Sequence, residues 1–547
     1  MELIEQHTKK IMEGCKVRAR DEGLSFHDET LEYIVTNRDL LELSGKLMIP
    51  TLYDYWVHDV EVIREKGRYE LYPGNPYETV INTRPAISFY NDNNPDWLNV
   101  MIFYHVLAHI DFFQNNLYFQ RTWNDDFTGQ ALSDKRMIAK MRSDKGRWVD
   151  YIIEFTRGID NLVGYHLELG NSVPKNGSRN AKKVDFYFDV FLQSTKKVPS
   201  NEYFKEIERY NRCRREDKVV GEEVFLSEID RKYPEFKALY DKHRNVRLRR
   251  PKDLIEFIME HSEFLNREEN RWMKSVMQVV RNTALFFSPQ IRTKIMNEGW
   301  ASYWHEKLFF KDSRIEGHEV DFARVHAGVT ALPRVGLNPY ALGMRLFEHI
   351  EAGGDRGRYS VEFSRLKDAQ ARSRYDANTA QGKELIFSIR ENMCDFIFIN
   401  TFVDQEFVTK NKLFVTGKRL NSERSEWEYF VKSREAGQYR QMVLDTLYHP
   451  PYIEIDLEKA KKGTLYLMHR FEGRPLVKEY IHNTMLGIEF LWGGPVQLET
   501  QERVSASKPP LGFTPPSGVR TETDEAEKKW QRIVYTMEGR KLSRKNV

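Results

Sequence analysis

Apolar residues recur at three- and four-residue spacing through most of the first 350 positions. LIEFIMEHSEFL (254–265) and NRWMKSVMQVVRNTALFF (270–287) show the pattern, which predicts a helical scaffold. Two early segments differ. GRYELYP (67–73) and YETVINTRPAISFY (77–90) alternate or run apolar between Gly, Pro and Asn, so they predict a strand pair and a small sheet packed on the helices. Between 452 and 500 the order YIEIDLE, GTLYLMHRF, PLVKEYIHNTMLGIEFLWG, PVQLET predicts strand, strand, helix, strand. The expected class is mainly α with a small β-sheet, followed by a small C-terminal α+β domain.

Polar stretches punctuate this pattern. Residues 171–218 hold SVPKNGSRNAKK and RYNRCRREDK around the aromatic strip FYFDVFL, and read as a polar, basic insertion with solvated charge. The run RLNSERSEWEYFVKSREAGQ, at 419–438, marks an approximate junction. The expected map is a main helical domain over 1–425, a C-terminal domain over 440–500, and a largely disordered tail over 501–547 with a short helix near WQRIVYTMEGRKL.

Composition narrows the function classes. The 547 residues are 40% hydrophobic and 13% aromatic, ample for a large core and for more than one structural unit. A net charge of +3, from 84 basic and 81 acidic residues, gives no global reason to expect nucleic acid or an anionic membrane as partner. Cys15, Cys213 and Cys394 form no CxxC pair, which argues against a disulfide framework and a cysteine-ligated zinc site. The charged N-terminal stretch lacks the apolar core of a signal peptide, and no run approaches membrane-spanning length, so a cytoplasmic location is expected. No P-loop and no helix-opening GxGxxG supports nucleotide chemistry.

NVMIFYHVLAHIDFFQNN (99–116) is apolar on most of its surface, yet it places His105 and His109 four residues apart. On a helix both imidazoles share one face, as two nitrogen ligands of a divalent metal would. The plain alternative is one satisfied core histidine and one solvent-facing one. In KIMNEGWASYWHEKLFF (294–310), Glu298 and His305 lie seven residues apart and again share a face. A carboxylate and an imidazole there could complete a site begun by the first helix. Equally, the segment could be an aromatic-rich core helix with a capping glutamate.

NEGWASY resembles the third-ligand helix of gluzincin metallopeptidases, whose aminopeptidases carry NEGFASY after a HExxH helix. That resemblance implies zinc on two histidines and the NE glutamate, with the glutamate of HExxH as general base, and a zincin-like α+β main domain. This chain departs from the pattern at Val106, in HVLAH, and its two helices are separated by 189 residues, 298 minus 109.

YETVINTRPAISFY, HVLAHIDFFQNN, FFSPQIRTKIMNEGWASYWH, RVHAGV and GLNPYALGMRLFEHI stand in this order. By these motifs the chain is similar to the stage V sporulation protein R (SpoVR) family from about Leu31 to about Thr500. Carried over by position, the signature residues are Glu78, Asn82, His105, His109, Asn297, Glu298, His305, His326, Asn338, Pro339 and Tyr340. Asn338 and Pro339 could instead start a helix. Tyr340 is either a core aromatic or a phenol that stabilises an oxyanion, and His326 is either a further ligand or a group behind the ligands. The resemblance implies a link to sporulation and cortex formation, and a PrkA-type serine kinase and a von Willebrand A type protein as company.

Two functions are therefore expected to compete. One is a metal-dependent amide hydrolase with His105, His109, Glu298, His305 and His326 as ligands, a divalent metal such as zinc, iron or manganese, and Glu78, Asp111, Glu306 or His305 as base. The other is a metal-bearing scaffold without catalysis that acts through protein partners.

Overall fold

In a computed structural model, residues 2–36, 78–119, 127–163, 183–216, 221–243, 253–421, 426–447, 450–503 and 530–547 are described, apart from a few single positions within these spans. The chain forms two compact units. The first comprises Met1–Lys135, Asn171–Lys242 and Phe286–His449; the second comprises Arg136–Gly170, His243–Leu285 and Pro450–Val547. The expected class holds: helices dominate, with small sheets beside them. Among the described residues no helix is long and apolar enough to cross a membrane.

The first unit opens with β1 (Glu2–Leu3), α1 (Gln6–Asp21), β2 (Thr30–Val35), β3 (Glu78–Ile81) and β4 (Ala86–Asn91). The four strands form one sheet in the order β1-β2-β4-β3, parallel at β2/β4 and antiparallel elsewhere. The expected strand pair within 77–90 is β3 against β4, in the register Glu78↔Tyr90 to Ile81↔Ile87. The other expected strand, 67–73, lies outside the described residues.

The central helix is α2 (Asp96–Asn115), buried at every position from Leu98 to Phe113. A helix apolar all round can only be a core element, and α2 packs on α1 and on α3 (Lys294–Phe309). The start of α3 is capped from a distance: both Asp395 carboxylate oxygens accept backbone N–H groups, from Ile295 and Met296, each at 2.8 Å. Asp395, the first residue of the helix Asp395–Phe402, supplies the acceptor that Thr293, the residue before α3, does not.

Next come α4 (Glu319–Val329), α5 (Pro339–Asp355), α6 (Gly382–Asn392) and α7 (Asp395–Phe402). Asn338 accepts the Tyr340 N–H at 3.0 Å and Pro339 takes the first position of α5, so the helix-start reading of this pair is what the structure shows. An antiparallel hairpin of β5 (Val415–Asn421) and β6 (Glu426–Ser433) forms where the sequence predicted a polar junction.

The segment expected as a solvated insertion is instead helical over its described part. Phe186–Thr195 is a π-helical stretch, followed by helices Ser200–Glu216 and Gly221–Lys232. The aromatic strip explains the difference: Tyr187, Phe188 and Phe191 are fully buried against Tyr210, Phe225 and Phe236, apolar area that a solvated excursion would leave in water.

The second unit carries β7 (Tyr452–Ile455), β8 (Leu465–Arg470), α8 (Lys478–Trp492) and β9 (Val496–Arg503), the predicted strand, strand, helix, strand order. Two further strands, β10 (Trp530–Glu538) and β11 (Lys541–Asn546), complete a sheet ordered β11-β10-β9-β8-β7. They correct the expectation that 530–547 belongs to a disordered tail with a short helix. Ile533, Tyr535 and Met537 alternate into the core, and Gly539 and Arg540, at φ of 57° and 63°, make a two-residue hairpin turn.

Candidate metal centre

His105 and His109 lie one turn apart on α2, with their Nε2 atoms facing each other at 3.1 Å. Glu298 on α3 brings Oε2 to 3.6 Å from His109 Nε2. Among the described residues these three form the group whose donor atoms all lie within 4.8 Å of one another. Both histidines are buried, and Glu298 is largely so.

The surrounding hydrogen bonds set the direction of the lone pairs. Asn297 Oδ1 lies 2.9 Å from His109 Nδ1 and can only accept there, so neutral His109 carries its proton on Nδ1 and aims a bare Nε2 at His105. Behind His105 the imidazoles continue in series. His105 Nδ1 meets His305 Nδ1 at 2.8 Å, His305 Nε2 meets His326 Nδ1 at 2.8 Å, and His326 Nε2 lies 3.8 Å from the Glu306 carboxylate. One consistent proton order runs outward along this row: His105 donates to His305, His305 to His326, and His326 points its N–H at Glu306. In that order the Nε2 lone pairs of His105 and His109 and the Glu298 carboxylate converge, a donor set suited to a cation.

The spacing fits such an ion as well. Two nitrogen donors each about 2.0–2.1 Å from one tetrahedral ion stand about 3.3 Å apart, close to the 3.1 Å between the two Nε2 atoms. Protonation state agrees. Burial, and then the neighbouring imidazoles, hold His105 and His305 well below the ordinary histidine range, and burial with Arg345 lowers His326 to about 4. At neutral pH all three are uncharged imidazoles, the form that binds metal.

A cavity of about 720 Å³ opens beside the cluster. His105, Glu298, His305 and Tyr340 line it, together with Lys294 and a mostly apolar set of residues between Val329 and Pro339. The Tyr340 ring stacks over His105 with centroids 6.2 Å apart.

The family model described as "SpoVR like protein" matches residues 1–449. The chain belongs to the SpoVR family. A relative, "Uncharacterized protein YcgB" of Escherichia coli (strain K12), is 22% identical over 499 residues, covering 86% of this chain and 87% of YcgB. No solved structure matches.

Within this SpoVR chain the predicted site residues divide. His105, His109 and Glu298 meet, whereas His305 and His326 stand outside the group, one and two imidazoles behind His105. Seven residues of helix rise about 10.5 Å, so Glu298 and His305 share a face of α3 without reaching one point. Tyr340 borders the cavity. Asp111 is turned away: its carboxylate accepts from Ser25 N–H at 2.7 Å and Trp300 Nε1 at 2.8 Å and pairs with Arg390 at 3.4 Å, a structural role rather than that of a base. Burial pushes its carboxyl up to about 6 against the pull of Arg390. Glu78 stands on β3, and its side chain lies outside the described residues. Glu306 ends the imidazole row. The sequence reading missed Lys294, although its place four residues before Glu298 on a helix was a usable signal.

Proposed function

We propose that His105, His109 and Glu298 hold a divalent metal, zinc first and iron or manganese otherwise, and that the site cleaves an amide bond. The observation that carries this reading is the pair of facing Nε2 atoms, 3.1 Å apart, with the Glu298 carboxylate beside them. A divalent ion supplies Lewis acidity, making water nucleophilic near neutral pH and polarising a carbonyl. Asn297 fixes the tautomer and ring plane of His109, and His305 does the same for His105. Tyr340, whose ring stacks over His105 at the cavity wall, would donate its phenol proton to a developing oxyanion. The row His305, His326, Glu306 would keep the His105 proton on Nδ1, turned away from the ion. The family's implied link to cortex formation belongs to the same proposal, since peptide links in a cell-wall polymer are amides, and so does the company of a PrkA-type kinase and a von Willebrand A type protein.

A second reading has its own support. Val106 is fully buried where a gluzincin would carry its base, and among the described residues Glu298 is the sole carboxylate lining the cavity. That favours a metal that clamps α2 to α3 in a scaffold without catalysis.

Elemental analysis of the purified protein, with His105→Ala and Glu298→Ala beside it, tests the shared part. About one equivalent of metal is expected in the wild type and a large loss in both variants. Full retention in both would sink the site. Metal with no turnover of peptide or peptidoglycan amides would select the scaffold.

A further inference from the structure

Lys294 is the first residue of α3, four residues before Glu298, so the two share a face about 6 Å apart along the helix axis. Both line the cavity beside the cluster. Lys294 is exposed, and among the described residues no carboxylate pairs with it. Its charge is felt at Asp395, but that carboxyl is buried and already accepts two backbone N–H groups. Apart from the imidazoles, Asn338 and Tyr340, the rest of the wall is apolar, with Met101, Ile102, Val329, Pro333, Val335 and Leu337. Val335 is left 47% exposed, an apolar side chain open to water at the rim of a concave site.

A solvated surface lysine needs no such surroundings. An ammonium group and a metal-type donor set lining one largely apolar cleft match a ligand that is apolar along its body and anionic at its tip. The rise of about 6 Å between the two helix positions is comparable to one or two residues of extended peptide at roughly 3.3–3.6 Å each.

Resting on the amide-hydrolase reading of the same site, we infer that Lys294 binds the free α-carboxylate of a peptide whose last residues are apolar, placing an amide bond near the C-terminus at the metal centre. Lys294 is then the residue that sets specificity for carboxylate-ended substrates. It takes no part in the bond cleavage.

The test is a binding measurement on the full chain. N-acetyl-Leu-Leu and its C-terminal amide are titrated calorimetrically into wild type, Lys294→Met and Lys294→Arg, with the metal content of each sample determined in parallel. The acid is expected to bind the wild type about tenfold or more tighter than the amide, as a charge-assisted contact implies. Lys294→Met brings the ratio near one, and Lys294→Arg keeps most of it. A wild-type ratio near one, or an unchanged ratio in Lys294→Met, overturns the inference, while metal binding stands or falls on its own figures. Discrimination by a wild type that holds no metal would retain the carboxylate contact and overturn the metal reading.

Discussion

Gly299 and Gly343 pack backbone against backbone, where a Cβ added to Gly343 would come within 2.8 Å of Gly299 Cα, and one added to Gly299 within 2.7 Å of Met344 N. The contact joins α3 to α5 directly beside the site: Gly299 follows Glu298, and Gly343 lies one turn after Tyr340. It therefore sets how near the carboxylate and the phenol-bearing helix can stand. Gly299→Ala gains about 1 kcal/mol of helix propensity, but the added methyl meets backbone that has no rotamer to yield. A net loss of about 1–3 kcal/mol is expected in urea unfolding, with weaker metal retention. An alanine variant as stable as wild type would contradict the close packing.

Asn297 holds His109 by one hydrogen bond and is not itself one of the three candidate ligands. Asn297→Ala should leave the fold near wild type in circular dichroism and weaken metal affinity about 10- to 100-fold, measured by competition with a chelator. Asn297→Asp should recover much of the loss, because it keeps the acceptor. Unchanged affinity in the alanine variant would mean that ring orientation is fixed by packing alone.

Asp111 illustrates a strongly shifted carboxyl without a chemical role. Asp111→Ala strands the buried Arg390 and is expected to cost about 3–5 kcal/mol, read as a lower unfolding midpoint. The folded fraction should still carry metal at the wild-type ratio. Selective loss of metal with stability intact would instead place Asp111 at the centre.

The His326 imidazole is lowered to about 4 by burial, with Arg345 adding to the effect. Its unfolded value is about 6.5. A histidine lowered on folding contributes stability that is full above the unfolded value and is lost as pH falls towards the folded one. In metal-free protein, the stability of wild type relative to His326→Gln should thus decline steadily from pH 7 to pH 4. A flat difference over that range would show that His326 is not buried neutral.

The helices were readable because burial on one side leaves a three- and four-residue period, and the strand, strand, helix, strand order of 452–503 because its strands are short and well punctuated. Two segments misled for opposite reasons. In 183–216, charged flanks hid an aromatic core that only the neighbouring helices complete. In 530–547, a polar stretch before it suggested a tail, whereas the alternation of Ile533, Tyr535 and Met537 was the stronger sign.

By itself the sequence determined which side chains share a helix face: His105 with His109, and Glu298 with His305, since the helical period is a local property of the backbone. It could not determine which faces meet. That depends on α2 and α3 being packed together across the 178 positions between them, 116 to 293, and on Asp395 and the Gly299–Gly343 contact fixing where α3 begins and how deeply it sits. Tertiary packing brought Glu298 to His109 and sent His305 behind His105, because two residues about 10 Å apart along one helix cannot converge on a single ion.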